Sequence, residues 1–296
     1  MKRMVRGSAL LAAPLLVAAA TVGGQAAGDL RGGEPTCYGE AATITGTGGS
    51  DQISGTNGND VIVTGPGFDV VHARSGNDLV CTGRGGDRLY GESGDDRLNG
   101  GRDGKPPDAD EITPDVLDGR RGDDRINGGP GLSANRPGFG DRAVYRDSPN
   151  PVELSLTFDY AETGRDTDRL VSIEDATGSL HRDTLTGDLR PNDLDGLAGR
   201  DRLFGRNALD RLHGDAGDDH LVSGDDYDIV LAGTGDDVVR SGRGSDEVYG
   251  ETGRDRLFGE AGNDRLYGED DRDMVDGGAH TRFDYCRAEV IVNCER

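Results

Sequence analysis

Aspartate recurs in this chain every nine residues. Asp51, Asp60, Asp69, Asp78, Asp87 and Asp96 make one series. Asp183, Asn192, Asp201, Asp210, Asp219, Asp228, Asp237, Asp246, Asp255, Asp264 and Asp273 make a longer one, and Asp115 and Asp124 lie between them. Two residues after each of these 19 positions stands an aliphatic residue, from Ile53 and Ile62 to Leu266 and Val275. Glycine usually stands two residues before the acid, and another opens the unit, as in Gly259-Glu-Ala-Gly-Asn-Asp264-Arg-Leu-Tyr267. A fixed short period is the mark of a solenoid, in which each unit packs on its neighbours. Three residues centred on the aliphatic one make a short strand with one side chain in and its neighbours out. The remaining six turn the chain, with glycines that permit positive φ and leave backbone carbonyls open.

Composition bears on what fills such turns. The chain is only 33% hydrophobic and carries a formal net charge of -23, with 50 glycines and no tryptophan among its 296 residues. That is too little apolar surface for an ordinary core, and without the repeat it would predict disorder. Carboxylates stacked at strand spacing repel one another, so something must neutralise them. Calcium takes six to eight oxygen ligands from carboxylates and carbonyls. A glycine-rich turn that ends in aspartate offers both. The acidic balance also speaks against nucleic acid or an anionic membrane surface as partner.

With these residues in place, the units resemble the glycine-rich nonapeptide repeat of RTX (hemolysin-type) proteins, GGxGxDxUx, over about two thirds of the chain after its first 27 residues. The resemblance implies a secreted bacterial protein and an all-β fold. That fold is a right-handed parallel β-roll, a β-solenoid in two stacked arrays with a β-rich interruption and a disulfide-bonded C-terminal cap. It implies several Ca2+ ions, each held between units n and n+2. Asp51, Asp69 and Asp87 would then line one edge of the first array, and Asp60, Asp78 and Asp96 the other, with Asp124 following. In the second array Asp201, Asp219, Asp237 and Asp255 share an edge, and Asp210, Asp228, Asp246 and Asp264 share its opposite. Asn192 departs from the pattern, as do His181 and Arg190 where glycine is expected, and Ala208, Asp226 and Asp271 ahead of Asp210, Asp228 and Asp273. These put both ends of the second array in doubt.

The organisation follows from where the period holds. Residues 1–27 have a basic start, an apolar run and small residues, and read as a secretory signal peptide. Residues 28–45 are expected to form an N-terminal cap, 46–104 the first array, 105–131 a loop and two further repeats, 132–177 a β-rich insert capping two rolls, 178–277 the second array and 278–296 a C-terminal cap. The first slip of phase is placed in Gly100–Ala109, read as a loop pushed out of the roll. Of the three pairings open to Cys37, Cys81, Cys286 and Cys294, nearness favours Cys37 with Cys81 and Cys286 with Cys294. No CxxC supports a zinc site. Tyr249 and Tyr267, at the same place in units n and n+2, are expected to stack. No HExxH, GxSxG or P-loop is present, and the sequence reads as a non-enzyme, extracellular and structural or interacting in role. The second reading is a solenoid that binds or modifies polysaccharide.

Overall fold

The computed structural model describes residues 34–102, 113–130, 137–280 and 284–294. The expected signal peptide at 1–27 lies outside them. All regular structure described is strand, arranged as a parallel β-solenoid. The chain alternates between two sheets. Sheet I has 12 strands, from Gln52–Ser54 at one end to Tyr285–Arg287 at the other. Sheet II runs from Ile44–Thr45 to Val290–Val292. In the arrays, neighbours within a sheet are two repeat units apart: Ile53 lies opposite Val71, and Leu212 opposite Val230.

The inward position explains why strands form there. Eighteen of the 19 aliphatic residues are completely buried, in a single column between the sheets. Ile53, in an end coil, is half-buried. One buried aliphatic side chain stabilises by roughly 1.5–3 kcal/mol, so each coil holds itself only weakly and depends on its neighbours.

The period is interrupted twice, and the second interruption differs from its sequence reading. Leu89 lies opposite Leu117, ten positions further on than two repeat units would place its partner. Residues 103–112 themselves lie outside the description. The segment expected to cap two separate rolls is instead threaded into both sheets. Ala143 sits opposite Leu117, Ala176 opposite Ala143, and Leu170 opposite Ile126. Each is buried and takes the inward aliphatic place. Between Arg125–Asn127 and Thr184–Thr186, sheet II holds an antiparallel meander of Asp166–Val171, Tyr160–Thr163 and Glu153–Ser155. The matching stretch of sheet I holds only Arg142–Val144 and Asp175–Thr177.

At the N-terminal end, Thr36–Cys37 and Glu40–Ala41 pair antiparallel, and a Cys37–Cys81 disulfide ties them to the roll. At the C-terminal end, Tyr285–Arg287 and Val290–Val292 extend both sheets in parallel, joined by a Cys286–Cys294 disulfide. The segment read as a C-terminal cap therefore continues both sheets of the solenoid. On the outer face of sheet I, Tyr249 and Tyr267 stack with ring centroids 5.0 Å apart.

Candidate metal centre

The acid of each unit turns inward at the end of its turn. Its Oδ1 accepts the backbone N–H of the matching acid one coil earlier: Asp201 N–H to Asp219, Asp219 N–H to Asp237 and Asp237 N–H to Asp255, at 2.7–2.9 Å. On the other edge Asp210 donates to Asp228, Asp228 to Asp246 and Asp246 to Asp264, at 2.8–3.0 Å. The first array does the same from Asp51 to Asp69 to Asp87, and from Asp60 to Asp78 to Asp96 to Asp124. Two carboxylate ladders thus run the length of the solenoid.

They also include acids that the nine-residue period hides. Asp115 N–H donates to Asp141, Asp124 to Asp168, Asp264 to Asp284, and Asp273 to Glu289. Insertions throw these acids out of phase. The signal that would find them is the local pair of an acid and, two residues on, an apolar residue: Asp168 with Leu170, Asp141 with Ala143, Asp284 with Cys286, Glu289 with Ile291.

The second carboxylate oxygen divides the ladder acids into two kinds. In Asp78, Asp96, Asp124, Asp201, Asp210, Asp219, Asp237, Asp255, Asp264 and Asp273, the Oδ2 is buried and has no hydrogen-bond donor. In Asp96, Asp201, Asp210, Asp219, Asp255 and Asp264 it faces the glycine that opens its own turn and a backbone carbonyl of the next coil, and in Asp124 and Asp273 it faces the glycine. A Cβ added at Gly250 would stand 2.5 Å from Asp255 Oδ2 and 2.8 Å from the Gly268 carbonyl oxygen, and one at Gly259 would meet Asp264 and the Gly277 carbonyl similarly. These turns hold the residue four before the acid at positive φ, as at Glu92, Arg120, Asp215, Glu251 and Glu260. Ala208, Asp226 and Asp271, the departures ahead of Asp210, Asp228 and Asp273, take positive φ like the glycines they replace.

Four turns are closed instead. Thr47 donates its N–H (2.6 Å) and hydroxyl (3.0 Å) to Asp51 Oδ2, and Thr56 does the same to Asp60. Ser179 donates N–H and hydroxyl to Asp183, and the Asp188 N–H reaches Asn192 Oδ1 at 2.7 Å. In each, the residue four places before the ladder position supplies the cap. Threonine or serine at that place marks three of these four turns, and none of the open ones.

Electrostatics separate the open turns further. Burial, with added repulsion from neighbouring acids, pushes Asp210 up to about 9 and Asp124 and Asp228 to about 8. Asp96, Asp201, Asp237, Asp255 and Asp264 rise to about 7, again chiefly through burial. A carboxylate in that state wants a proton or a cation. Among the described residues, no three His, Cys, Asp or Glu side chains come together as a metal cluster. The donor set is one of carboxylate and carbonyl oxygens, hard ligands that suit calcium rather than zinc. The unpartnered oxygens and the glycine cradles fit that ion.

A solenoid with an acid ladder along each edge and open glycine turns is a calcium-binding β-roll. The RTX calcium-binding nonapeptide repeat model matches residues 45–104, 114–131 and 177–279 through overlapping copies, and the chain belongs to that family. Proteins of this family bind calcium ions through the repeat. No curated protein matches the chain.

Proposed function

We propose that this is an extracellular protein of structural or interacting role that winds into its solenoid when calcium fills the open turns. The observation that carries the reading is the double row of buried carboxylate oxygens with no donor, six of them beside a backbone carbonyl oxygen of the next coil. Asp78, Asp96, Asp124, Asp201, Asp210, Asp219, Asp237, Asp255 and Asp264 are the proposed side-chain ligands, and Asp273 joins them on the same geometry. Asp69, Asp87, Asp228 and Asp246 are included by their place in the ladder. Asp51 and Asp60 stand apart, because Thr47 and Thr56 already occupy their second oxygen. Bound calcium would supply the positive charge that neutralises these acids. The chain's own part is to present Oδ2 beside open carbonyls while Oδ1 holds the previous coil by its N–H. Where calcium is scarce the acids repel and the chain stays extended; where it is plentiful, binding and folding are one process. Extracellular calcium modules bind with Kd of about 10⁻⁴–10⁻³ M. The repeat is a structural one, and no helix among the described residues is long and apolar enough to cross a membrane.

The test is a calcium titration of residues 28–296 followed by far-UV circular dichroism, with magnesium as control. A cooperative rise in β signal with calcium alone is expected. A β spectrum unchanged by chelator would overturn the reading.

A further inference from the structure

The acids of the central segment are satisfied by protein groups alone. Asp168 is 3% exposed; its Oδ1 accepts the Asp124 N–H, and its Oδ2 accepts the hydroxyl of the buried Tyr145 at 2.9 Å. Glu174 accepts the Asp141 N–H on one oxygen and a 2.7 Å ion pair from Arg190 on the other. Asp175 accepts the N–H groups of Asp193 and Gly140. Arg142 lies 3.2 Å from the Asp193 carboxylate. Asp183 is capped by Ser179 and also takes the Val152 N–H. At the next ladder place stands an amide, Asn192, whose Nδ2 donates to the Glu174 carbonyl at 2.7 Å.

The same segment widens the solenoid's one continuous core. Tyr145, Val152, Leu154, Leu156, Ala161, Leu170 and Ile173 are each no more than 3% exposed. Four of them (Leu156, Ile173, Tyr145 and Val152) lie off the single inward column that serves the arrays. The meander adds antiparallel pairs that are close in sequence, Leu154 opposite Ala161 and Ala161 opposite Asp168, and so cost little loop closure.

We propose that residues 137–194 form a calcium-independent folding block, and that the arms on either side (46–130 and 195–280) wind outward from it as calcium arrives. This rests on the reading that calcium holds the donorless carboxylates of the arms. The block offers both arms formed strand edges: Arg142–Val144 for the strand Val116–Arg121, and Thr184–Thr186 for Arg202–Asn207. Neither arm then has to nucleate alone.

Hydrogen exchange of the full chain, read by mass spectrometry in chelator and in calcium, tests this. In chelator, amides of the block are expected to exchange at least about 100-fold more slowly than those of either arm, and in calcium all three are expected to be protected. Protection in chelator lost evenly along the chain, and regained in calcium, would overturn the block while leaving the calcium reading intact. Protection kept evenly in chelator would overturn the calcium reading, and the block with it. Tyr145→Phe removes the donor to Asp168. It is expected to cut the block's protection in chelator by at least about tenfold, with the calcium-bound arms unchanged. Equal exchange in that variant and the parent would overturn the role given to the protein's own donors.

Discussion

The arms and the central segment build the same ladder and complete it differently. In both, each acid accepts the N–H of the coil before it. In the arms ten acids, among them Asp201, Asp219 and Asp255, have a second oxygen without a donor in a glycine-rich turn, while Asp51 and Asp60 are capped by threonine; in the centre a phenol, two guanidinium groups, a serine cap or an amide supplies what is missing. A buried carboxylate costs several kcal/mol unless it is paired or hydrogen-bonded. The contrast teaches that the solenoid is not uniformly dependent on an ion. Its regularity is what creates the dependence: a nine-residue unit with one inward aliphatic has no room for a tyrosine or an arginine beside its acid. The interruption breaks the period and gains that room.

The largest expected effect is removal of calcium, which should abolish the β signal of the arms while leaving that of the centre. A uniform loss would erase the distinction. Next come core truncations. Leu221→Ala and Leu154→Ala should each cost about 2–5 kcal/mol in the calcium-bound protein, measured by urea unfolding. In chelator only Leu154→Ala should still register.

Acidification should blur the comparison in a defined direction. Burial raises the arm acids above their unfolded value, so protonation favours the folded form. That contribution is fully present below the usual carboxylate value of 3.8, and is lost as the pH climbs through the raised values of about 6 to about 9. Chelated protein should therefore gain β structure as the pH is lowered toward about 4, whereas calcium affinity should rise with pH because the ion needs the ionised form. Circular dichroism against pH, with and without calcium, reads both. A chelated protein equally unfolded at low pH would contradict the first.

The smallest effects separate open turns from closed ones. Gly250→Ala would press a methyl group against Asp255 Oδ2 and the Gly268 carbonyl, and should cost about 1–3 kcal/mol and weaken calcium binding. Gly58→Ala, in the turn that Thr56 closes, meets nothing within 4 Å and should change stability by less than about 1 kcal/mol. Calcium isotherms and thermal melts of the two variants, side by side, make the check. Equal losses would mean that the turns do not differ.

Much of this was legible in the sequence because the period is strict. The inward aliphatics, the alternation of acids between two edges and the stacking of Tyr249 on Tyr267 all follow from counting by nine. Counting is also what misled. It does not size the slip before Asp115, because the interval from Asp96 to Asp115 fits two nonapeptides and a single extra residue as well as it fits one nonapeptide and ten. It set the centre aside as an insert because Asp141 and Asp168 fall out of phase with the arrays, although each is followed two residues on by its inward Ala143 or Leu170. The closed turns at Asp51 and Asp60 needed a different kind of signal. A threonine four residues earlier is ordinary in a loop, and gains meaning only when its hydroxyl is seen to reach the acid.

The sameness of the coils has a further consequence for finding the right partner. Any strand of an array can pair one coil too far along and find an aliphatic residue, an acid and an N–H waiting in the expected places. Such a slip loses only one coil at an end, so shifted pairings are close competitors of the native one. The antiparallel meander at 153–171 has no counterpart elsewhere among the described residues, and Cys37 can reach its cysteine in one coil alone. In an otherwise repeating molecule these irregularities act as phase marks, telling each arm where to begin counting.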